Sequence, residues 1–170
     1  MKPNMKKYFK IAVLAAVATL AASCTDTVKS LTGGYSYQIA KQEVSINDSI
    51  AAVLTSETGA LEIERSKDDE VLLTFNSMKG DVYTTTGKID DKTITLTPFT
   101  RTLNITYTIT QEELLRPVEK TINETYNLEV TGEAEIHDET IHFTLQYAGT
   151  GVSSDKTITG EDILMIAKKN

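Results

Sequence analysis

From residue 33 onward, apolar and polar positions alternate with a period of two in segment after segment. That period belongs to half-buried β-strands. Tyr35, Tyr37 and Ile39 share one face, whereas Val44, Ile46, Ile50 and Leu54 take the opposite parity. A bulge or turn must intervene, and Asn47-Asp48 is the candidate turn. Ile46, Ile50, Val53 and Leu54 fit a short helix equally well. Further on, Leu61, Ile63 and Arg65 face Val71, Leu73 and Phe75 across "SKDDE". Tyr83, Thr85 and Gly87 are expected opposite Pro98, Leu96 and Ile94, with Asp90-Asp91 as the turn. Leu103, Ile105, Tyr107 and Ile109 form the next stripe. Ile122, Tyr126, Leu128 and Val130 answer it beyond "QEELLRP", a charged tip with Pro117 at its edge.

The clearest hairpin lies in "GEAEIHDETIHFTLQY". With Asp138-Glu139 as its turn, Ile136 meets Ile141, Ala134 meets Phe143, Gly132 meets Leu145 and Val130 meets Tyr147. Every inward pair is then apolar or small. The outward pairs, Glu135 with His142 and Glu133 with Thr144, are polar. A slip of one residue would bury the charges, so the register is well specified. Small residues opposite large ones also suit a curved wall.

The final stretch, "EDILMIAKK", is apolar on both parities, which predicts a terminal strand buried on both sides that closes the sheet against the first strand. About eight to ten short antiparallel strands at roughly 8–12-residue spacing predict an all-β fold. Consecutive hairpins with no long crossover favour an antiparallel meander barrel. A two-sheet β-sandwich is the alternative, because periodicity does not separate the two.

The start of the chain has another character. Lys2, Lys6, Lys7 and Lys10 precede "IAVLAAVATLAA", residues 11–22, which is too short to span a bilayer as a helix. Small residues follow, then Cys24, the single cysteine of the chain. Leu20-Ala21-Ala22-Ser23-Cys24 resembles the lipobox of bacterial lipoproteins, with Ala21 where leucine is commonest. The resemblance implies a signal peptide over 1–23, lipid on the Cys24 thiol and cleavage before it. It also implies a polar tether over 24–32 and a single domain over 33–170. Two or three acyl chains anchor a protein stably where one does not, at about 0.8 kcal/mol per buried methylene. One cysteine also excludes an internal disulfide, so the fold must rest on its core and hydrogen bonds.

Charge narrows the partners. Losing residues 1–23 removes four lysines and no acid, leaving 13 Lys and Arg against 24 Asp and Glu, a net charge of −11. Such a body repels phosphates, so nucleic acid is not an expected partner, and attachment to the membrane falls to the N-terminal lipid. Threonine occurs 26 times, a composition suited to pleated surfaces.

"LTGGYSYQI", residues 31–39, resembles the opening of lipocalin-like barrels, although no tryptophan is present. Together with "FNSMKGDVYTTTGKIDDKTITLTPF", residues 75–99, it makes the chain similar to the lipocalin-like small lipoproteins of anaerobic Gram-negative gut bacteria. Asp26-Thr27-Val28 and Asp48-Ser49-Ile50 resemble O-glycosylation acceptors of exported proteins in such bacteria, which makes Thr27 and Ser49 the implied attachment points. The resemblance implies a scaffold at the outer membrane or cell surface rather than a reaction.

Candidate chemistry is sparse. His137 and His142, with Glu133 and Glu135, run along a solvated face instead of converging, so no metal site is expected. Asp68-Asp69, Asp90-Asp91 and Glu112-Glu113 sit at hairpin tips, where solvated charge is ordinary. No nucleophile motif or phosphate-cradling loop is present. The expectation is therefore a protein that is not an enzyme and carries no cofactor. Tyr35, Tyr37, Tyr83, Tyr107, Tyr126 and Tyr147 fall mostly on inward faces, where they pack the core or line a cavity for a small apolar or amphipathic molecule. An envelope protein is the other expected partner, and a structural or adhesive accessory lipoprotein is the alternative function.

Overall fold

A computed structural model describes residues 27–113 and 116–170. The signal segment and the whole of the lipobox resemblance, Leu20 to Cys24, lie outside those residues. The described chain is nearly all strand. The first four strands are β1 (Gly33–Ile39), β2 (Gln42–Ile46), β3 (Ile50–Leu54) and β4 (Glu57–Arg65). Next come β5 (Glu70–Ser77), β6 (Val82–Asp90), β7 (Thr93–Leu96) and β8 (Phe99–Glu113). The last are β9 (Arg116–His137), β10 (Thr140–Gly151) and β11 (Thr157–Lys169).

Neighbouring strands run β1-β4-β5-β6-β7-β9-β10-β11, and β11 pairs back onto β1. This is a closed eight-stranded antiparallel meander, the barrel expected of a lipocalin-like chain and not the two-sheet sandwich. Closure removes the two outer edges that an open sheet of these strands would present. Inward positions carry Leu61, Ile63, Leu73, Phe75, Ile94, Phe143 and Met165, each at most 1% exposed. Phe75 is the hub of an aromatic cluster. Its ring meets Tyr37 edge-on at 5.7 Å and Phe143 at 6.1 Å, and it stacks on Tyr83 at 4.9 Å.

The barrel continues below itself. β1 and β2 hold the same register against β11 on either side of Ala40-Lys41, so together they act as one broken strand. β7 and β8 likewise lie in succession along β9. They separate at Thr97-Pro98, where proline has no N–H for a ladder. The lower parts of β8, β9, β10 and β11 join β2 and β3 around the lower end of the same core, with Val44, Ile46, Ile105, Tyr107, Tyr126, Leu128 and Ile158.

The β9–β10 pairing is the one read from the sequence, from Ile136 with Ile141 to Val130 with Tyr147. Gly132 is needed there: a Cβ would lie 2.4 Å from the Thr144 carbonyl oxygen. The β4–β5 pairs also match, Leu61 with Phe75 and Arg65 with Val71.

Three expectations are corrected, and the helix alternative over 46–54 falls to the expected Asn47-Asp48 turn. Gly87 pairs with Leu96 and Ile89 with Ile94, two residues from the expected register. The turn is Asp91-Lys92, with Asp91 in the left-handed region at φ 53°. A two-residue shift keeps every side chain on its face, so alternation alone does not detect it. The 46–54 segment is the β2–β3 hairpin and not a helix, turning at Asn47 and Asp48, both at positive φ. Leu164 and Ile166 in the terminal strand are 61% and 49% exposed, because the barrel covers only its inner face. The tether, where described, is not loose: residues 27–31 form a helical turn that buries Val28 and Leu31.

Candidate functional site

At the waist, where both strand breaks fall, the interior turns polar. Glu57 opens β4 on the same parity as Leu61 and Ile63, so its carboxylate points inward and is 2% exposed as a residue. Arg101 holds the equivalent inward place on β8, on the parity of Ile105 and Tyr107, at 7% exposed. The Arg101 Nη2 donates to Glu57 Oε2 at 2.8 Å. Glu57 Oε1 accepts from the Tyr37 hydroxyl at 2.8 Å and the Tyr83 hydroxyl at 3.3 Å. The guanidinium lies 4.6 Å from the Tyr83 ring centroid, a cation–π contact. Beside it, the Tyr147 hydroxyl donates to Gln42 Oε1 at 3.0 Å. Gly59 makes room for this arrangement, since a Cβ there would lie 2.6 Å from the Tyr37 ring.

Burial pushes the Tyr37 hydroxyl up to about 12, and the adjacent Glu57 charge adds to the shift. It pushes Tyr147 to about 12 as well. Both stay neutral donors at physiological pH. One donor is left over: among the described residues, Arg101 Nε is buried and has no hydrogen-bond partner.

Two open clefts flank this pair. The first, of about 420 Å³, lies between the unpaired edges of β3 and β8; Val53, Leu54, Leu103 and Ile105 supply its apolar lining and Glu57 lies among its polar residues. The second, of about 550 Å³, lies where β8 leaves β6 and is lined by Asp81, Val82, Tyr83, Thr100, Arg101, Thr102 and Asn127. They share Asp81 and Thr102. β3 and β8 face each other without a ladder, so here the lower wall is unzipped.

No family model matches the chain, and no curated protein does. Among the solved structures similar in outline are two of low identity. One is EF1p2_mFAP2b bound to DFHBI, at 7% identity and a TM-score of 0.41, covering 87% of this chain and 98% of that one. The other is described as a "putative outer membrane protein" from Bacteroides fragilis NCTC 9343, at 16% identity and a TM-score of 0.37. That match covers 84% of this chain and 52% of the other, so the chain spans about half its length. The barrel is established by its own strand pairing.

The six tyrosines separate by position. Tyr83 borders the second cleft and Tyr147 a smaller one of about 200 Å³. Tyr35 is buried with its hydroxyl on the Leu31 carbonyl, which ties the helical turn to the barrel. Tyr107 and Tyr126 form a second polar cluster, both donating to Glu124 Oε2 at 3.0 Å. Lys156 reaches the same oxygen at 3.1 Å, and the Ser154 hydroxyl binds Oε1. The Ser154 bond first, then Lys156 and the tyrosines, hold the Glu124 carboxyl down at about 2.

A depressed carboxyl stabilises the fold above its unfolded value and loses that contribution as pH falls through the folded one. Acid titration is therefore expected to lower stability between about pH 4.5 and 2 through Glu124. Urea unfolding against pH checks this: Glu124→Gln should flatten that limb, and an unchanged limb would contradict it.

His142 faces outward beside Glu135, and the His137 ring lies 4.6 Å from it. Thr27 lies in the helical turn, and Ser49, which is exposed, lies in the β2–β3 turn. Glu57 and Arg101 were missed as site residues. The available signal was a charged residue on the inward parity of an otherwise apolar stripe.

Proposed function

We propose that this is a lipid-anchored protein of the bacterial cell envelope, at the outer membrane or cell surface, whose barrel binds a small amphipathic molecule without catalysis. The observation that supports binding is the unzipped wall. Where β8 leaves β6 and faces β3 without a ladder, two joined clefts border a buried ion pair. Val53, Leu54 and Leu103 suit an apolar body, and the second cleft suits a polar end. The rims add apolar surface, with Val53 60% and Val82 65% exposed. The closed interior itself is packed with side chains, so the ligand sits in the wall and not along the barrel axis. Anchoring rests on the lipobox resemblance around Cys24.

Native mass spectrometry of the protein extracted from membranes tests both halves. The expected mature chain begins at Cys24 with diacylglyceryl and acyl mass, and carries a co-purified small molecule that dissociates on activation. A free thiol at Cys24, or an amino terminus elsewhere, would overturn the anchor. An unliganded barrel together with no binding of amphiphiles at the seam would overturn the ligand.

A further inference from the structure

We propose that the second seam cleft reads a carboxylate set among hydroxyls, as in a sugar acid, and that Arg101 is the residue that reads it. This deepens the small-ligand reading and rests on it. Arg101 is more than nine-tenths buried, yet only its Nη2 edge meets Glu57; its Nε–H is left without an acceptor. A buried unpaired donor is costly and uncommon. The side-on edge of a guanidinium, Nε with a neighbouring Nη, fits a carboxylate in a planar fork. Glu57 fills one prong of that fork, at Nη2, and leaves the Nε prong open because its second oxygen is taken by Tyr37 and Tyr83.

The surrounding lining selects hydroxyls. Six of the seven residues there are polar, and Thr100, Thr102, Asn127 and the exposed Asp81 present donors and acceptors of the kind that hold a polyol. Thr102 and Asn127 already bond to each other at 3.0 Å, which fixes their orientation. The nearby charges are mixed: Arg101 is matched by Glu57, and Lys79 and Asp81, which both line the first cleft, carry opposite charges. The protein as a whole is acidic, so attraction of an anion to it has to be local.

Octyl β-glucuronide and octyl β-glucoside test this, since they share tail and ring and differ only in a carboxylate against a hydroxymethyl group. Both are titrated, below their micelle concentrations, into full-length protein labelled with ¹⁵N, with backbone amides and arginine Nε–H signals followed together. The glucuronide is expected to bind at least tenfold more tightly, shifting the Arg101 Nε–H and the amides of Thr100, Thr102 and Asn127. Arg101→Lys, which keeps the charge but lacks the fork, should erase the preference for the glucuronide over the glucoside. If that variant does not fold, the Arg101 Nε–H signal of the native protein decides. Equal affinity for the two, or glucuronide binding with the Arg101 signal unmoved, would overturn the carboxylate reading while leaving a small-ligand site standing. Binding of neither would overturn it too, and with an unliganded native mass spectrum would take the wider reading with it.

Discussion

Glu57→Ala is expected to lower the stability of the barrel by about 3–5 kcal/mol, measured by urea unfolding at pH 7. The substitution removes one partner of a pair that is 4% and 3% exposed at the side chains. The cost comes less from the lost attraction than from what stays behind. The Arg101 charge would remain buried without its carboxylate, and the Tyr37 and Tyr83 hydroxyls would lose their shared acceptor. Replacing both ends, as in Glu57→Gln with Arg101→Met, should therefore cost less than the two single changes added together, because no net charge is left to desolvate. A loss below about 1 kcal/mol for Glu57→Ala would mean that water reaches the pair through the clefts and solvates it.

Phe75→Ala carries a comparable penalty, about 3–5 kcal/mol, by a different mechanism. The ring is 1% exposed, and it touches Tyr37, Tyr83, Phe99 and Phe143. Its removal leaves a cavity walled by other rings, each already held by neighbours across the barrel. Strands closed into a ring have little freedom to collapse inward, so the void persists. Thermal unfolding should show a fall of roughly 2–4 °C for each kcal/mol lost. Phe75→Leu, which restores part of the volume, is expected to recover part of the difference. Because this cluster abuts Glu57 through Tyr37 and Tyr83, Phe75→Ala and Glu57→Ala should be non-additive in a double-mutant cycle.

Much of the architecture was legible along the chain. In the β9–β10 hairpin, Glu129, Thr131, Glu133 and Glu135 alternate with Val130, Gly132, Ala134 and Ile136, and one register alone hides the apolar set and frees the charges. The β6–β7 hairpin was placed two residues out because a two-residue slip preserves the faces. What distinguishes the true pairing there is backbone: Asp91 accepts a left-handed conformation at the turn, and Ile94 meets Ile89 and not Gly87. Leu164 and Ile166 read as buried because their neighbours are apolar, yet hydrophobicity does not reveal which face of a strand is covered.

The candidate site was legible only as an anomaly. Glu57 and Arg101 are 44 residues apart, on strands that share no ladder. Each alone is a charged residue on an inward parity, and nothing local says that the two meet.

By itself, the chain determined a period-two, threonine-rich, disulfide-free body that has to be antiparallel sheet, because only that structure buries every second side chain. The tertiary structure alone decided that the wall opens where β7 gives way to β8, and that Glu57 and Arg101 neutralise each other in the gap. Burial of a charge depends on which distant strands close around it, and that closure is a property of the whole ring.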